Sequence, residues 1–307
     1  MRIAYCLVGI VGSSNFGMGL GNPIDYRLAY YWNKKNIFDV NPNIDVFIHS
    51  WSKEFETGLV ETYKPKKYIF EKQIDFQLPT IRDNSIVSRW YSTAMCNQLR
   101  QEYEIENNFK YDLVMFFRFD HVFLVPLNLK DMDNNKIWFR HRRPVGWTDG
   151  VRSQDNIENQ IDTKKDVDLN TWESRRKFNL YPNDRVYDSF IISNRDNIDK
   201  YSDIYNEIDP ENVITPHHHI CLKLQKEGVW DKVDWKFFGE VDTEAIRALY
   251  KNPEYIETEF NINNFERFEE KFVRQNSEVI SRFKSTSDNR AKNINLGNSG
   301  FKTELIQ

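Results

Sequence analysis

The stretch MFFRFDHVFLVPL, residues 115–127, concentrates bulky apolar side chains and interrupts them with Arg118 and Asp120. It follows SIVSRWYSTAMCNQLRQEYEIENNF, where apolar residues recur at helical spacing behind a serine, which predicts a long amphipathic helix over about 86–106. A helix feeding directly into a near-continuous apolar strand is the pattern of α/β units whose helices cover a mainly parallel sheet. That one junction constrains the fold class more than any other feature of the chain.

The remaining segments read consistently with it. RIAYCLVGIV is a buried strand stopped by a Gly/Ser/Asn cluster, NIDVFIHSW a second, KKYIFEKQI a third, and NKIWFRH and RVYDSFIISN two more. Helices are predicted at PIDYRLAYYWNKKN, with Pro23 near its start, at RDNIDKYSDIYNEI, and at HHHICLKLQKEG, ended by Gly228. Residues 144–184 are polar and weakly periodic, which predicts a long loop or lid with a short helix at NTWESRRKF. Beyond about residue 240 the charged and aromatic sequence from EAIRALY onward predicts one or two helices and a frayed tail. The expected organisation is an α/β domain over 1–240 and a helical C-terminal extension over 241–307.

Composition narrows the function classes. Lys+Arg 42 against Asp+Glu 46 gives a net charge of -4, so no general basic field exists to gather nucleic acid, and any anion site must be local. Cys6, Cys96 and Cys221 show no CxxC spacing, which points away from a disulfide framework or zinc knuckle and toward a reducing, cytoplasmic compartment. No stretch reaches the roughly 18 apolar residues of a membrane span, and MRIAYCLVGIVG reads as a first strand rather than a signal peptide. Gly9, Gly12, Gly17, Gly19 and Gly21 fit neither G-x-G-x-x-G nor the P-loop, which disfavours two common nucleotide folds.

Chemistry-bearing residues gather at strand ends. On a strand Arg118 and Asp120 project to the same side, at the point where the apolar run LVMFF finishes, and ligands of open α/β sheets bind beyond such carboxyl ends. Asp120 offers hard oxygens for Mg²⁺ or Mn²⁺, and Arg118 either neutralises a phosphate or orients Asp120. The alternative is an ion pair that closes the strand end. Asp188 in RVYDSFIIS lies just before an apolar run, at the rim of the sheet, as a general base or as a backbone-capping turn residue. Trp51 and His49 end the second strand, as a stacking platform and a phosphate contact or as core residues. Arg89 on the long helix is a diphosphate contact or a solvent-facing cation. His217, His218 and His219 open a helix and point in different directions, so at most two share a site. Arg140, Arg142 and Arg143, with His141, Trp138 and Trp147, form a basic and aromatic cluster suited to a phosphate or acidic glycan, or to a solvated strand edge.

The blocks DVFIHSW, SRWYSTAMCNQLRQEYEIENNFKYDLVMFFRFDHVF and VYDSFIISNRDNIDKYSDIY, in that order, resemble glycosyltransferase-like proteins of the GT-A superfamily from bacteria, phages and large viruses, over roughly residues 1–230. The resemblance implies a nucleotide-diphospho-sugar transferase fold and transfer of a sugar to a hydroxyl of a glycan or glycolipid. It also implies a donor site at Arg118 and Asp120, to which position at the neighbouring strand ends and helix start adds Gly9, Trp51 and Arg89. In that group R-x-D stands where other GT-A enzymes carry D-x-D. Asp120 would then be the metal or diphosphate residue, Arg118 its partner, Asp188 the acceptor-side carboxylate and His219 a further ligand to Mn²⁺ or Mg²⁺. With Arg118 in place of the first Asp, one carboxylate remains, which leaves a non-catalytic carbohydrate-binding or assembly protein as the rival reading. A nuclease or phosphotransferase built on Asp120 and Asp188 lacks a further carboxylate or lysine at sheet spacing.

Overall fold

The computed structural model describes residues 1–12, 24–141, 186–211, 213–238 and 243–246. The expected lid at 144–184, Gly17, Gly19, Gly21, Arg142, Arg143, Trp147 and the expected helices beyond residue 246 lie outside the described residues. In chain order the elements are strand β1 (Ile3–Gly9), helix α1 (Tyr26–Asn33) continuing into a π-helical segment (Lys34–Phe38), β2 (Ile44–Ser50), α2 (Glu56–Tyr63), β3 (Lys67–Phe70), α3 (Ile81–Glu106) and β4 (Leu113–Arg118). They continue as β5 (His121–Phe123), β6 (Ile137–His141), β7 (Val186–Ser193), α4 (Arg195–Ser202), α5 (Pro216–Lys226), β8 (Val233–Phe238) and β9 (Thr243–Ala245).

Seven strands form one sheet in the order β3-β2-β1-β4-β7-β6-β8. Neighbours are parallel except at β7, which runs antiparallel to both β4 and β6. The fold is therefore α/β with a mostly parallel mixed sheet, as the helix-to-strand junction predicts. Among the described residues no helix is long and apolar enough to cross a membrane. Alternation along the strands divides the core in two. Tyr5, Leu7, Met115, Phe117 and Phe190 face α1 and α2, while Cys6, Val8, Phe116 and Ile191 face α3, α4 and α5. Three rings stack across adjacent strands on the first face, Tyr5 on Phe117 at 5.0 Å and Phe117 on Phe190 at 5.3 Å. Such cross-strand aromatic contacts fix register as well as burying area.

The connectivity creates the site's location. After β1 the chain adds β2 and β3 on one side, then returns over α3 to add β4 on the other, so strand order reverses between β1 and β4. Crevices at such switch points, outside the carboxyl ends, are where open α/β sheets take ligands. The register pairs Val8 with Arg118, which puts Arg118 at the mouth of that crevice.

Several boundaries differ from the sequence reading. The long helix starts at Ile81, because Thr80 Oγ1 accepts from the Asp83 N–H at 3.0 Å and Asn84 ties the incoming loop through Phe76 N and Leu78 O. The apolar run 115–127 does not continue as one strand. It turns at Phe119 and Asp120 and resumes as β5, which pairs with β9. β9 is a correction, since Thr243–Ala245 lies where a helix was expected to begin. β8 has no counterpart in the sequence reading.

β5 and the segment after it are held on the helix side by three buried asparagines. Asn33 Nδ2 donates to His121 O at 3.0 Å, Asn36 Nδ2 to Phe123 O at 2.7 Å, and Asn41 Nδ2 to Leu127 O at 2.7 Å while its Oδ1 accepts from Leu129 N at 2.9 Å. These side chains supply hydrogen bonds that a further strand would otherwise make. Asn41→Ala strands the Leu127 carbonyl and the Leu129 amide. It should lower unfolding free energy by about 2–4 kcal/mol, seen as a lower urea midpoint at unchanged slope; an unchanged midpoint would show that the asparagines are incidental.

Candidate functional site

Arg118 shares a strand face with Val114 and Phe116, the face toward α3. Its guanidinium grips Asp120 as a fork, Nε to Oδ1 at 2.9 Å and Nη2 to Oδ2 at 3.2 Å, and Asp120 is only 2% exposed. The backbone carbonyl of Asp120 accepts from Ile246 N at 2.8 Å, which anchors the turn. Asp120 therefore sits beneath Arg118 and aims it.

A second guanidinium arrives from α3. Arg89 Nε lies 3.1 Å from Asp188 Oδ2, and Arg89 Nη2 donates to the Asp188 carbonyl. Arg118 Nη1 approaches Asp188 Oδ1 at 3.9 Å, and His217 Nδ1 stands 3.7 Å from the same oxygen. Asp188 thus lies between two arginines, and the four charges form a continuous line, Asp120–Arg118–Asp188–Arg89. The side chains of Arg118, Asp188 and Arg89 keep 17%, 13% and 15% of their exposure, so the line runs just under the surface. The Arg89 guanidinium also lies 4.5 Å over the Trp90 ring.

An irregularity in β7 delivers Asp188 to this face. Phe190 and Ile192 belong to the α1/α2 core, and strict alternation would send Asp188 the same way. One step along β6, from Phe139 to Arg140, is instead matched by a jump from Ile191 to Tyr187 on β7. Bulges of this kind re-aim side chains beside functional sites.

The histidines at the start of α5 separate, as their spacing predicts. His218 Nδ1 is 2.7 Å from Thr215 Oγ1, whereas His219 packs beside Trp90 and hydrogen-bonds the Ile214 backbone. Burial pulls His219 down to about 4, against the Ile214 hydrogen bond and with help from the nearby Arg89 charge. It is neutral near pH 7.

The end of β2 forms a separate network. His49 Nδ1 meets Ser92 Oγ at 2.8 Å and its Nε2 meets Glu71 Oε1 at 3.0 Å, while Gly9 N donates to Ser92 Oγ at 2.9 Å. Burial lowers the His49 pKa, and the Glu71 hydrogen bond opposes the shift. Gly9 has φ +100, a conformation open to glycine, and its carbonyl accepts from Trp51 N and Ser50 Oγ. Trp51 is buried, donates to Ser88 O at 3.3 Å and stacks on Tyr91 at 5.2 Å, so it is packed rather than presented as an open platform. Arg140 and Trp138 are likewise buried, with Trp138 Nε1 donating to Asp133 O at 2.9 Å.

No family model matches the sequence, and no curated protein matches it significantly.

The structure thus brings Arg89, Arg118, Asp120 and Asp188 together, with His217 beside them and His219 across Trp90. Gly9 and Trp51 belong to the adjoining strand ends. The sequence reading leaves out Ser92 and Glu71, which hold His49, and Tyr201, whose hydroxyl accepts from Arg89 Nη2 at 3.5 Å. The available signal for Ser92 was a set of small polar residues, Ser88, Ser92 and Thr93, which are all buried on α3. The donor set does not fit a firmly held divalent cation. Both oxygens of Asp120 face the Arg118 fork, Asp188 is flanked by two guanidinium groups, and no group of three or more His, Cys, Asp or Glu able to hold a metal occurs among the described residues.

Two outcomes follow for stability. Asp120→Asn removes the forked carboxylate from a part-buried Arg118 and leaves it only the longer contact to Asp188 among those seen here, so it should cost about 2–3 kcal/mol in urea unfolding, whereas the double change Arg118→Met, Asp120→Leu should cost less; equal losses would mean the pair is not coupled. An unfolded histidine titrates near ~6.5, while folded His219 holds out to about 4. As pH falls through that window the unfolded chain gains a proton that the folded chain refuses, so stability declines, and the decline ends near the folded value. In His219→Phe the decline across the same window should be shallower, as read from urea midpoints at successive pH values; an identical slope would contradict the assignment.

Proposed function

We propose that the chain is a nucleotide-sugar-dependent glycosyltransferase with a GT-A-like domain over 1–240, transferring a sugar to a hydroxyl of a glycan or glycolipid. The observation that carries this reading is the convergence of Arg118 and Arg89 on Asp188 at the switch point between β1 and β4. Diphosphate recognition needs fixed donors at a strand end, and two guanidinium groups supply them in a geometry suited to phosphate oxygens. The resemblance of the RFD strand end and its flanking blocks to GT-A glycosyltransferases supports the same class. A cytoplasmic setting accompanies it, supported by three buried cysteines outside any disulfide.

In this mechanism Arg118, aimed by Asp120, and Arg89 hold the donor diphosphate. As phosphate oxygens take over the guanidinium N–H groups, Asp188 is released to accept the proton of the acceptor hydroxyl. The acceptor oxygen bonds to the anomeric carbon, and the carbon–oxygen bond to phosphate breaks with its electron pair leaving on the nucleoside diphosphate. Charge developing on that leaving group is met by the two arginines.

A second reading, a carbohydrate-binding protein without transfer, is favoured by one observation. Arg89 and Arg118 against Asp120 and Asp188 sum to zero formal charge, so a neutral sugar needs no compensating cation. The two are separated by incubating the protein with UDP-, GDP- and CMP-sugars and measuring release of the nucleotide. Transferase action predicts release that survives EDTA and falls on the order of 10²–10³-fold in Arg118→Ala and in Asp188→Asn. Sugar binding with no release from any donor would decide for the second reading, and release abolished by EDTA would contradict neutralisation by arginine.

A further inference from the structure

Among the described residues, three buried polar atoms around Trp90 find no hydrogen-bond partner: Arg89 Nη1, Trp90 Nε1 and His219 Nε2. Trp90 lies under the Arg89 guanidinium, and the His219 ring centroid is 6.2 Å from that of Trp90. Native structures leave few such atoms unpaired, because each forfeits its hydration without replacement. Three within one neighbourhood, next to Asp188, leave hydrogen-bonding capacity that a polar group would satisfy.

Their chemistry says which polar group fits. His219 hydrogen-bonds the Ile214 backbone. With Nε2 unpartnered, the bond to Ile214 is made by Nδ1–H, which fixes the tautomer and leaves Nε2 as a bare lone pair. The neighbourhood thus offers two donors and one acceptor. A phosphate or carboxylate oxygen would satisfy Arg89 but would face the His219 lone pair with another lone pair. A hydroxyl has one proton to give and two lone pairs to fill, which complements the set.

We propose that Arg89 Nη1 and His219 Nε2, with Trp90 Nε1 as second donor, form a subsite for one hydroxyl group of a carbohydrate, making His219 a sugar-selecting residue and not a metal ligand. This rests on the reading of the cleft as a sugar site and adds which chain atoms recognise the sugar. The hydroxyl comes either from the sugar of the nucleotide donor or from the acceptor, and the experiment separates these sources.

The test is isothermal titration of the full chain with UDP-, GDP- and CMP-sugars and with free monosaccharides, each compared with its monodeoxy analogues, against wild type, His219→Phe and His219→Gln. Phe keeps the ring beside Trp90 without an acceptor; Gln restores an acceptor oxygen, and unfolding midpoints check that each variant folds. The expected result is that one deoxygenation weakens wild-type binding roughly 10-fold or more, that the same deoxygenation has no effect in His219→Phe, and that Gln recovers part of the difference. Coupling seen with nucleotide-sugars places the hydroxyl on the donor, and coupling seen with free sugars alone places it on the acceptor. Free-sugar coupling without any nucleotide-sugar binding upholds the subsite while overturning the transferase reading. Sugar binding whose deoxy penalty is the same in wild type and His219→Phe overturns the subsite alone and leaves a structural water as the occupant. No binding of any sugar overturns both.

Discussion

Asp188 is a single carboxylate held against two arginines that reach it from different elements, Arg118 from the end of β4 and Arg89 from α3. The rest of the site depends on that arrangement. Two like charges converge under a partly buried surface only if a carboxylate lies between them, and each needs a further constraint to stay aimed. Asp120 supplies it for Arg118, and the Trp90 ring and Asp188 backbone supply it for Arg89. The sheet supplies the third requirement, a β7 irregularity that turns Asp188 to the α3 face. Preorganisation of this kind places the donors before any ligand arrives, which is where electrostatic recognition gains most.

The α/β class was legible because it follows from burial on both faces of strands such as IAYCLVG and LVMFF, a property that composition over a few residues records directly. The R-x-D pair was legible because two polar residues at strand spacing inside an apolar run demand an explanation. What was not legible depended on partners far along the chain. RVYDSFIIS reads as one regular strand, and only its pairing with β6 reveals the irregularity that aims Asp188. β5 and β9 are short and depend on each other, and Asn33 and Asn36 look like exposed helix polar residues until β5 is packed against them. Trp51, at a strand end, reads as a platform or as a core residue, and only Tyr91 and Ser88, arriving on α3, decide for the enclosed position.

The same distinction separates the two roles sequence gave to RFD. As a strand-end motif it offered a metal carboxylate or an ion pair, and the deciding quantity was exposure. Asp120 at 2% exposed, with both oxygens toward one guanidinium, acts on Arg118 and through it on whatever Arg118 touches. In the proposed function the weight of the motif therefore lies on its arginine and not on its carboxylate. His219, a candidate ligand of a cation in the sequence reading, is a buried neutral ring beside Trp90.

Under the proposed function Arg118 and Arg89 hold a diphosphate at the switch point. The most direct measurement is a crystal structure of the chain with a nucleoside diphosphate. The account predicts phosphate oxygens at about 2.7–2.9 Å from both guanidinium groups, with the Asp188 contacts to them lengthened and Asp120 still gripping Arg118. A diphosphate bound away from the ends of β1 and β4, with Asp188 still clamped between the two arginines, would contradict it.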